Sequence, residues 1–197
     1  MADTLSADAL DLIFREARSY NDWLDQPVSD DEIHAIYELL KMAPTSANMQ
    51  PARIVWAKSS DAKEKLAALA MDGNKDKITS APVVAIIGYD IDFHEELPWL
   101  FPHTDAKSWF EGDVEGRITQ AKRNSALQGA YLMLAARALG LDCGPMSGVD
   151  LDKVTEDFFA DQPQYRADWI CSIGYGDKDS IFDRSPRPEF EKFNRID

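Results

Sequence analysis

Between Ala43 and Pro51 the chain reads Ala-Pro-Thr-Ser-Ala-Asn-Met-Gln-Pro, with Thr45, Ser46, Asn48 and Gln50 enclosed by two prolines. Such a loop is stiff, rich in hydrogen-bonding groups and poor in titratable ones. That suits holding a polar, ring-containing cofactor and does not suit acid–base chemistry. The same residue types also make an ordinary connection between a helix and a strand. No nucleophile–base pair stands out elsewhere, and no Gly-x-Gly-x-x-Gly follows a strand, so a dinucleotide-binding fold is not indicated. His34, His94 and His103 lie far apart without ligand spacing, which predicts no metal site.

Three further segments carry candidate chemistry. Ala17-Arg18-Ser19-Tyr20-Asn21-Asp22-Trp23 ends the first helix. Gly140-Leu-Asp-Cys-Gly-Pro-Met-Ser-Gly148 follows a long one. Ile173-Gly-Tyr-Gly-Asp177 precedes a tail carrying Arg184 and Arg187. Taken in this order and spacing, the strings Pro44-Thr-Ser-Ala-Asn48, Gly140-Leu-Asp142, Gly144-Pro-Met-Ser-Gly148 and Ile173-Gly-Tyr-Gly-Asp177 resemble the FMN-dependent nitroreductase family. The similarity is closest to its pyrimidine-catabolism branch, the malonic semialdehyde reductases of the Rut pathway, and runs from about Ala9 to about Phe190.

The resemblance implies an FMN oxidoreductase that takes hydride from NADH or NADPH by ping-pong turnover and passes it to a small acceptor. Malonic semialdehyde, reduced to 3-hydroxypropionate, is the branch expectation; nitroaromatics and quinones are alternatives. It also implies an intertwined homodimer with FMN in a cleft between the subunits. Two other readings stay open: a flavin-binding protein of the same fold with weak or lost reductase activity, and a cofactor-free interaction module.

FMN asks a protein for positive charge at its phosphate, hydrogen bonds along the ring edge, and space above the ring. By the resemblance, Arg18 and Ser19 contact the phosphate and ribityl chain, and Arg187 or Arg184 closes on the same phosphate. Arginine suits this because its planar fork can bond two phosphate oxygens at once. Thr45, Ser46 and Asn48 match the loop that contacts the flavin. Pro145, Met146, Ser147 and Gly148 match the segment lying against the ring, where a backbone amide near Ser147 or Gly148 would meet flavin N5. Asn21 departs from the pattern, because many members carry a cation there that stabilises reduced flavin. Lys77, just after Asn74, is a candidate to supply that charge. The Phe93 to Phe110 stretch is expected to set acceptor specificity through His103, Lys107 and Trp109, or to be a variable lid with ordinary packing. Gly174, Tyr175 and Gly176 are expected to support the site without contacting it.

The elements that must position these groups follow from periodicity. Leu10, Ile13, Phe14 and Ala17 predict a helix over about Ser6 to Ser19. Ser29 and Glu32 form a capping-box pattern for a second helix ending before Pro44, with Ile33, Ile36, Tyr37 and Leu40 as its buried stripe. Arg53–Ala57, Val83–Ile87 and Trp169–Ile173 read as strands, with a helix from about Asp61 to Met71 between the first two. The second strand is a nearly continuous apolar run, as in a sheet covered on both faces.

A long helix over about Gly116 to Leu139 is apolar on more than one side, through Ala126, Leu127, Ala130, Tyr131, Leu134, Ala135 and Ala138. It should be both core and subunit interface, with Ser125 and Gly129 allowing close approach of another backbone. The fold class expected is α+β, an α/β sandwich with helices on both faces of a small mixed sheet.

Composition agrees with one domain spanning residues 1–197: 45% apolar and 28% charged residues make an ordinary globular balance. Net charge is −14, from 21 basic and 35 acidic side chains, a surface that would repel nucleic acid and anionic membranes. No apolar run approaches membrane-spanning length. The acidic opening Met-Ala-Asp-Thr-Leu-Ser-Ala-Asp is unlike a secretory leader, and a cytoplasmic location is expected. Cys143 and Cys171 then read as reduced core thiols.

Overall fold

A computed structural model describes residues 4–197; Met1, Ala2 and Asp3 of the acidic opening lie outside the described residues. The N-terminal segment forms α1 (Ala7–Leu10), capped by Ser6, and runs into a π turn over Asp11–Arg15. The helix expected to reach Ser19 therefore stops at Glu16. Ala17 and Arg18 lie outside any helix or strand, and Ser19 pairs in an isolated bridge with Cys143.

Helix α2 (Asp30–Leu40) starts at the expected capping box, in which Ser29 Oγ accepts from the Glu32 amide at 3.2 Å and the Glu32 carboxylate from the Ser29 amide at 2.7 Å. Ile33, Ile36 and Leu40 are buried as predicted, but Tyr37 is 54% exposed. The chain continues through β1 (Ala52–Ala57), α3 (Ser60–Ala68), α4 (Asp72–Thr79), β2 (Val83–Asp90) and the short α5 (Leu97–Leu100). It then forms α6 (Val114–Ala138), β3 (Asp142–Met146), α7 (Leu151–Phe158), β4 (Tyr165–Gly174) and α8 (Phe190–Phe193).

The strands form one sheet in the order β1-β2-β4-β3. All three pairings are antiparallel, a correction to the mixed sheet expected; parallel pairing among the described residues is confined to the Ser19–Cys143 bridge. β2 and β3, both antiparallel to β4, run in the same direction, so the connection through α5 and α6 carries the chain back to the end of the sheet from which β2 started. β2 is buried along its whole length. Its alternate residues feed two cores: Val83, Ala85 and Ile87 pack with α2 and α6, and Val84 and Ile86 with α3, α4 and α7. That two-residue alternation is the sheet's own period.

Helix α6 lies along the sheet, burying Ala121, Ser125, Gly129, Leu132, Ala135 and Ala136. Ser125 Oγ donates to the Gly88 carbonyl at 2.9 Å, and a Cβ at Gly129 would collide with the Trp169 ring. The close approach these small residues permit is thus to the chain's own sheet. Leu127 and Tyr131, on the opposite face, remain exposed. A third small core, including Met49, Phe93, Leu97 and Ala121, sits beneath the 93–110 excursion.

Candidate functional site

Arg18, Ser19, Asn21, Arg184 and Arg187, all proposed from sequence, line one cavity of about 360 Å³ together with Arg137. Two chain ends are stitched together here. Arg18 donates to the Phe182 carbonyl, and Arg184 Nη2 to the Ala17 carbonyl at 3.2 Å. Arg187 Nη1 donates to the Ser185 carbonyl at 3.0 Å. Of the six arginines elsewhere, Arg15, Arg53, Arg117 and Arg195 each meet a carboxylate. Among the described residues, the four around this cavity have no such partner, in a chain of net charge −14. A concentration of unspent positive charge in an acidic protein is an anion site in waiting.

The strand beside this cavity carries the next group. The Tyr20 amide donates to the Cys143 carbonyl at 3.0 Å, so the Arg18–Asn21 run lies alongside β3, whose far end leads into Ser147 and Gly148. Asn74 Nδ2 and the Met71 amide donate to the Gly148 carbonyl at 3.2 and 3.0 Å. A Cβ on Gly148 would come within 2.5 Å of Asn74 Nδ2, so a larger residue here would displace the Asn74 side chain. The amides of Ser147 and Gly148 themselves donate to no acceptor among the described residues. Lys77 follows Asn74 by three residues on α4 and so shares its face.

Burial pushes the half-buried Asp142 carboxyl above the ordinary carboxylate range. A hydrogen bond from the Gly176 amide at 3.0 Å and the charges of Lys178 and Arg137 oppose that rise. Burial likewise raises the Tyr20 phenol, with Asp142 adding to the rise.

Thr45, Ser46 and Asn48 lie elsewhere. Ser46–Asn48 is a tight turn in which Ala47, Asn48 and Gln50 all take positive φ, of 48°, 48° and 41°. Left-handed backbone at three non-glycine positions is costly and persists only where the surroundings hold it. They do so through α6: Asn124 Oδ1 accepts from the Ser46 amide at 2.8 Å, and Gln128 Nε2 donates to Gln50 Oε1 at 2.6 Å. Asn48 Nδ2 donates to the Leu100 carbonyl at 2.8 Å. Asn124 and Arg137 are thirteen residues apart on α6, about 20 Å along its axis. Within one chain, the polar loop and the arginine cavity are separate.

The predicted acceptor residues side with the loop. His103 and Trp109 stand edge-on to Phe101, at ring-centroid distances of 5.2 and 6.2 Å. The Lys107 ammonium is engaged by Glu95 at 2.6 Å, which raises its pKa. None of the three lines the cavity of about 710 Å³ beside the loop, which is bounded by Tyr37, Met42, Asn48, Gln50, Trp99 and Leu100.

Sequence reasoning passed over Arg137, Asn124, Gln128 and Trp99. The polar pair Asn124 and Gln128, four apart inside an otherwise apolar helix face, was the legible sign of a buried clamp. Among the described residues, no helix is long and apolar enough to cross a membrane, and no cluster of metal-ligating side chains occurs.

Residues 14–176 match the model of the Nitroreductase family. The chain belongs to the nitroreductase family. It is by that membership an oxidoreductase. A Stenotrophomonas maltophilia relative, provisionally named NADH dehydrogenase/NAD(P)H nitroreductase, is 54% identical over 196 residues and is covered in full, as is this chain. A Ralstonia nicotianae relative of the same provisional name is 50% identical, with 98% of each chain covered. Among solved structures, an Exiguobacterium sibiricum nitroreductase crystallised with FMN superposes with a TM-score of 0.85 at 22% identity, with each chain covered completely. The nitroreductase fold thus accounts for the whole described chain, with the arginine cavity at the C-terminal end of α6 and the strained loop clamped at its middle.

Proposed function

We propose that this nitroreductase binds FMN at a site completed by a second copy of the chain, and moves hydride from NADH or NADPH to a small acceptor. The acceptor proposed is a semialdehyde, malonic semialdehyde being the branch expectation, with nitro compounds and quinones as promiscuous substrates. The observation that carries this is the cavity of four arginines without carboxylate partners; the unengaged amides of Ser147 and Gly148, beyond the far end of the strand that Ser19 and Tyr20 meet at Cys143, support it. When bound, FMN would supply the two-electron relay between nicotinamide and acceptor.

The chain's own residues hold and orient. Arg18, Arg184 and Arg187 would grip the phosphate, with Ser19 beside it. The Ser147 or Gly148 amide would donate to the ring at N5, and Asn74 and Lys77 would face its pyrimidine edge. A backbone donor can serve oxidised and reduced ring alike without titrating. Pro145 and Met146 would form the wall beneath.

Three features support a homodimer. Thr45, Ser46 and Asn48 stand about 20 Å from the arginine cavity along α6 and would reach a flavin only from a second copy. β1 is an edge strand, open along one side among the described residues. The tail beyond Ser180 is exposed and carries Phe182, Phe190, Phe193 and Ile196 with little cover.

The test begins with colour. The purified protein should be yellow, its flavin absorbance bleached by NADH or NADPH, and acid should release FMN as the main species. FAD would overturn the phosphate assignment. Steady-state rates against malonic semialdehyde, nitroaromatics and quinones then identify the acceptor. Neutral Asn21 favours the second reading, a flavin protein of weak reductase activity. Flavin that binds but is not bleached by either nicotinamide would establish that reading instead.

A further inference from the structure

We propose that Arg137 is a fourth phosphate-binding cation, and the one that fixes where the phosphate sits; the proposal rests on the FMN reading above. Arg137 lies in the last turn of α6 and lines the same cavity as Arg18, Arg184 and Arg187. Its guanidinium carries five donors. One of them, Nη1, makes a long bond of 3.4 Å to the Ile13 carbonyl, while Nε is buried and has no acceptor among the described residues. Nη2 also donates to no acceptor among the described residues, and the side chain lines the cavity, so the guanidinium keeps a terminal donor for an acceptor that enters from outside the chain.

The surrounding carboxylates do not provide one. Asp142 acts on Arg137 only through space and takes its hydrogen bond from the Gly176 amide. Asp183 lines the cavity without an ion pair to any of its arginines. The C-terminal end of α6 adds partial negative charge that keeps a cation there.

Support also distinguishes Arg137 from its neighbours. Arg18 follows the π turn outside any helix or strand, and Arg184 and Arg187 lie on the exposed tail. Arg137 alone projects from a 25-residue helix packed on the sheet. A donor held before binding loses less freedom on binding, so it contributes more net affinity than a donor on a loose segment. The ligand chemistry that answers four cations is a terminal phosphate monoester, which carries between one and two negative charges near neutral pH.

The test compares FMN with riboflavin, which keeps the ring and ribityl chain and lacks the phosphate. Flavin fluorescence is titrated with flavin-free wild type, Arg137→Met and Arg137→Lys. Arg137→Met should weaken FMN binding by roughly tenfold or more, about 1.4 kcal/mol, and leave riboflavin affinity within about twofold. Arg137→Lys should recover part of the loss, since it restores charge without the fork. Equal loss for both flavins makes Arg137 a structural residue, and no loss for either makes it a spectator; each overturns the proposal. Arg137→Lys, with a thermal melt of each flavin-free variant, covers failure of the methionine variant to fold. If wild type itself does not prefer FMN to riboflavin, the FMN reading fails first, a result seen before any variant is used.

Discussion

Asn21 lines the arginine cavity, and Lys77 lies three residues after Asn74 on α4; in the proposed site, a cation near either would stabilise reduced flavin. If Lys77 supplies the charge at the pyrimidine edge, Lys77→Ala lowers the flavin midpoint potential and Asn21→Lys changes it little; if that charge is missing, Asn21→Lys raises it. An interaction of about 1.4 kcal/mol corresponds to roughly 30 mV for a two-electron couple. Redox titration of the two variants is the measurement; potentials that stay at the wild-type value in both would move that flavin edge elsewhere. Asp142 makes a separate prediction. Its folded pKa is raised, chiefly by burial, so the folded state favours its protonated form. Its contribution to stability is therefore greatest at acid pH and is lost as pH climbs through the folded value. Asp142→Asn, which keeps an acceptor for the Gly176 amide, should raise the melting temperature at pH 7 more than at pH 4. An equal shift at both would mean that the charge is already well solvated.

At the scale of elements, legibility followed the strength of the periodic pattern. α2 and α6 announced themselves through long apolar periods and, for α2, a capping box. β2 did so through an unbroken apolar run. β3 did not, because Gly144 and Pro145 read as a turn, whereas proline is tolerated on a sheet edge. α4 was missed because Gly73 and its polar sequence hide an apolar face reduced to Ile78. The π turn shortened α1 at a point no propensity marks, and that freed Arg18 and Ser19 to reach the cavity. The Thr45–Gln50 loop was legible in residue types and not in its three positive φ values, which depend on clamps from α6.

Gly129 shows how periodicity alone misjudges a face: what read as an interface stripe meets Trp169 in the same chain. Gly129→Leu should therefore overfill this core and cost about 1–3 kcal/mol in denaturant unfolding. Its mass in solution should match wild type. A variant of native stability and altered mass would return Gly129 to the interface.

For the whole molecule, the question is what covers the face of α6 that the chain leaves open. Leu127 is 48% and Tyr131 38% exposed on that face, and the tail adds Phe182, Phe190, Phe193 and Ile196. A second copy of the chain that covered these side chains would remove apolar surface from water. The separation of the polar loop from the arginine cavity along α6 gives the same answer from geometry. The chain should run in light scattering at twice its mass of 22.1 kDa. Leu127→Glu combined with Tyr131→Glu places four carboxylates in a two-fold contact and should yield monomers. Those monomers keep every arginine of the cavity, so the prediction has a second arm: they should bind FMN weakly, because Thr45, Ser46 and Asn48 of the other copy no longer face it. A monomeric variant that holds FMN as tightly as wild type would place the complete site in one chain and leave the strained loop without its assigned role. Loss of flavin together with loss of the dimer, reversed when the glutamates are returned to Leu127 and Tyr131, ties assembly to cofactor binding in a single measurement.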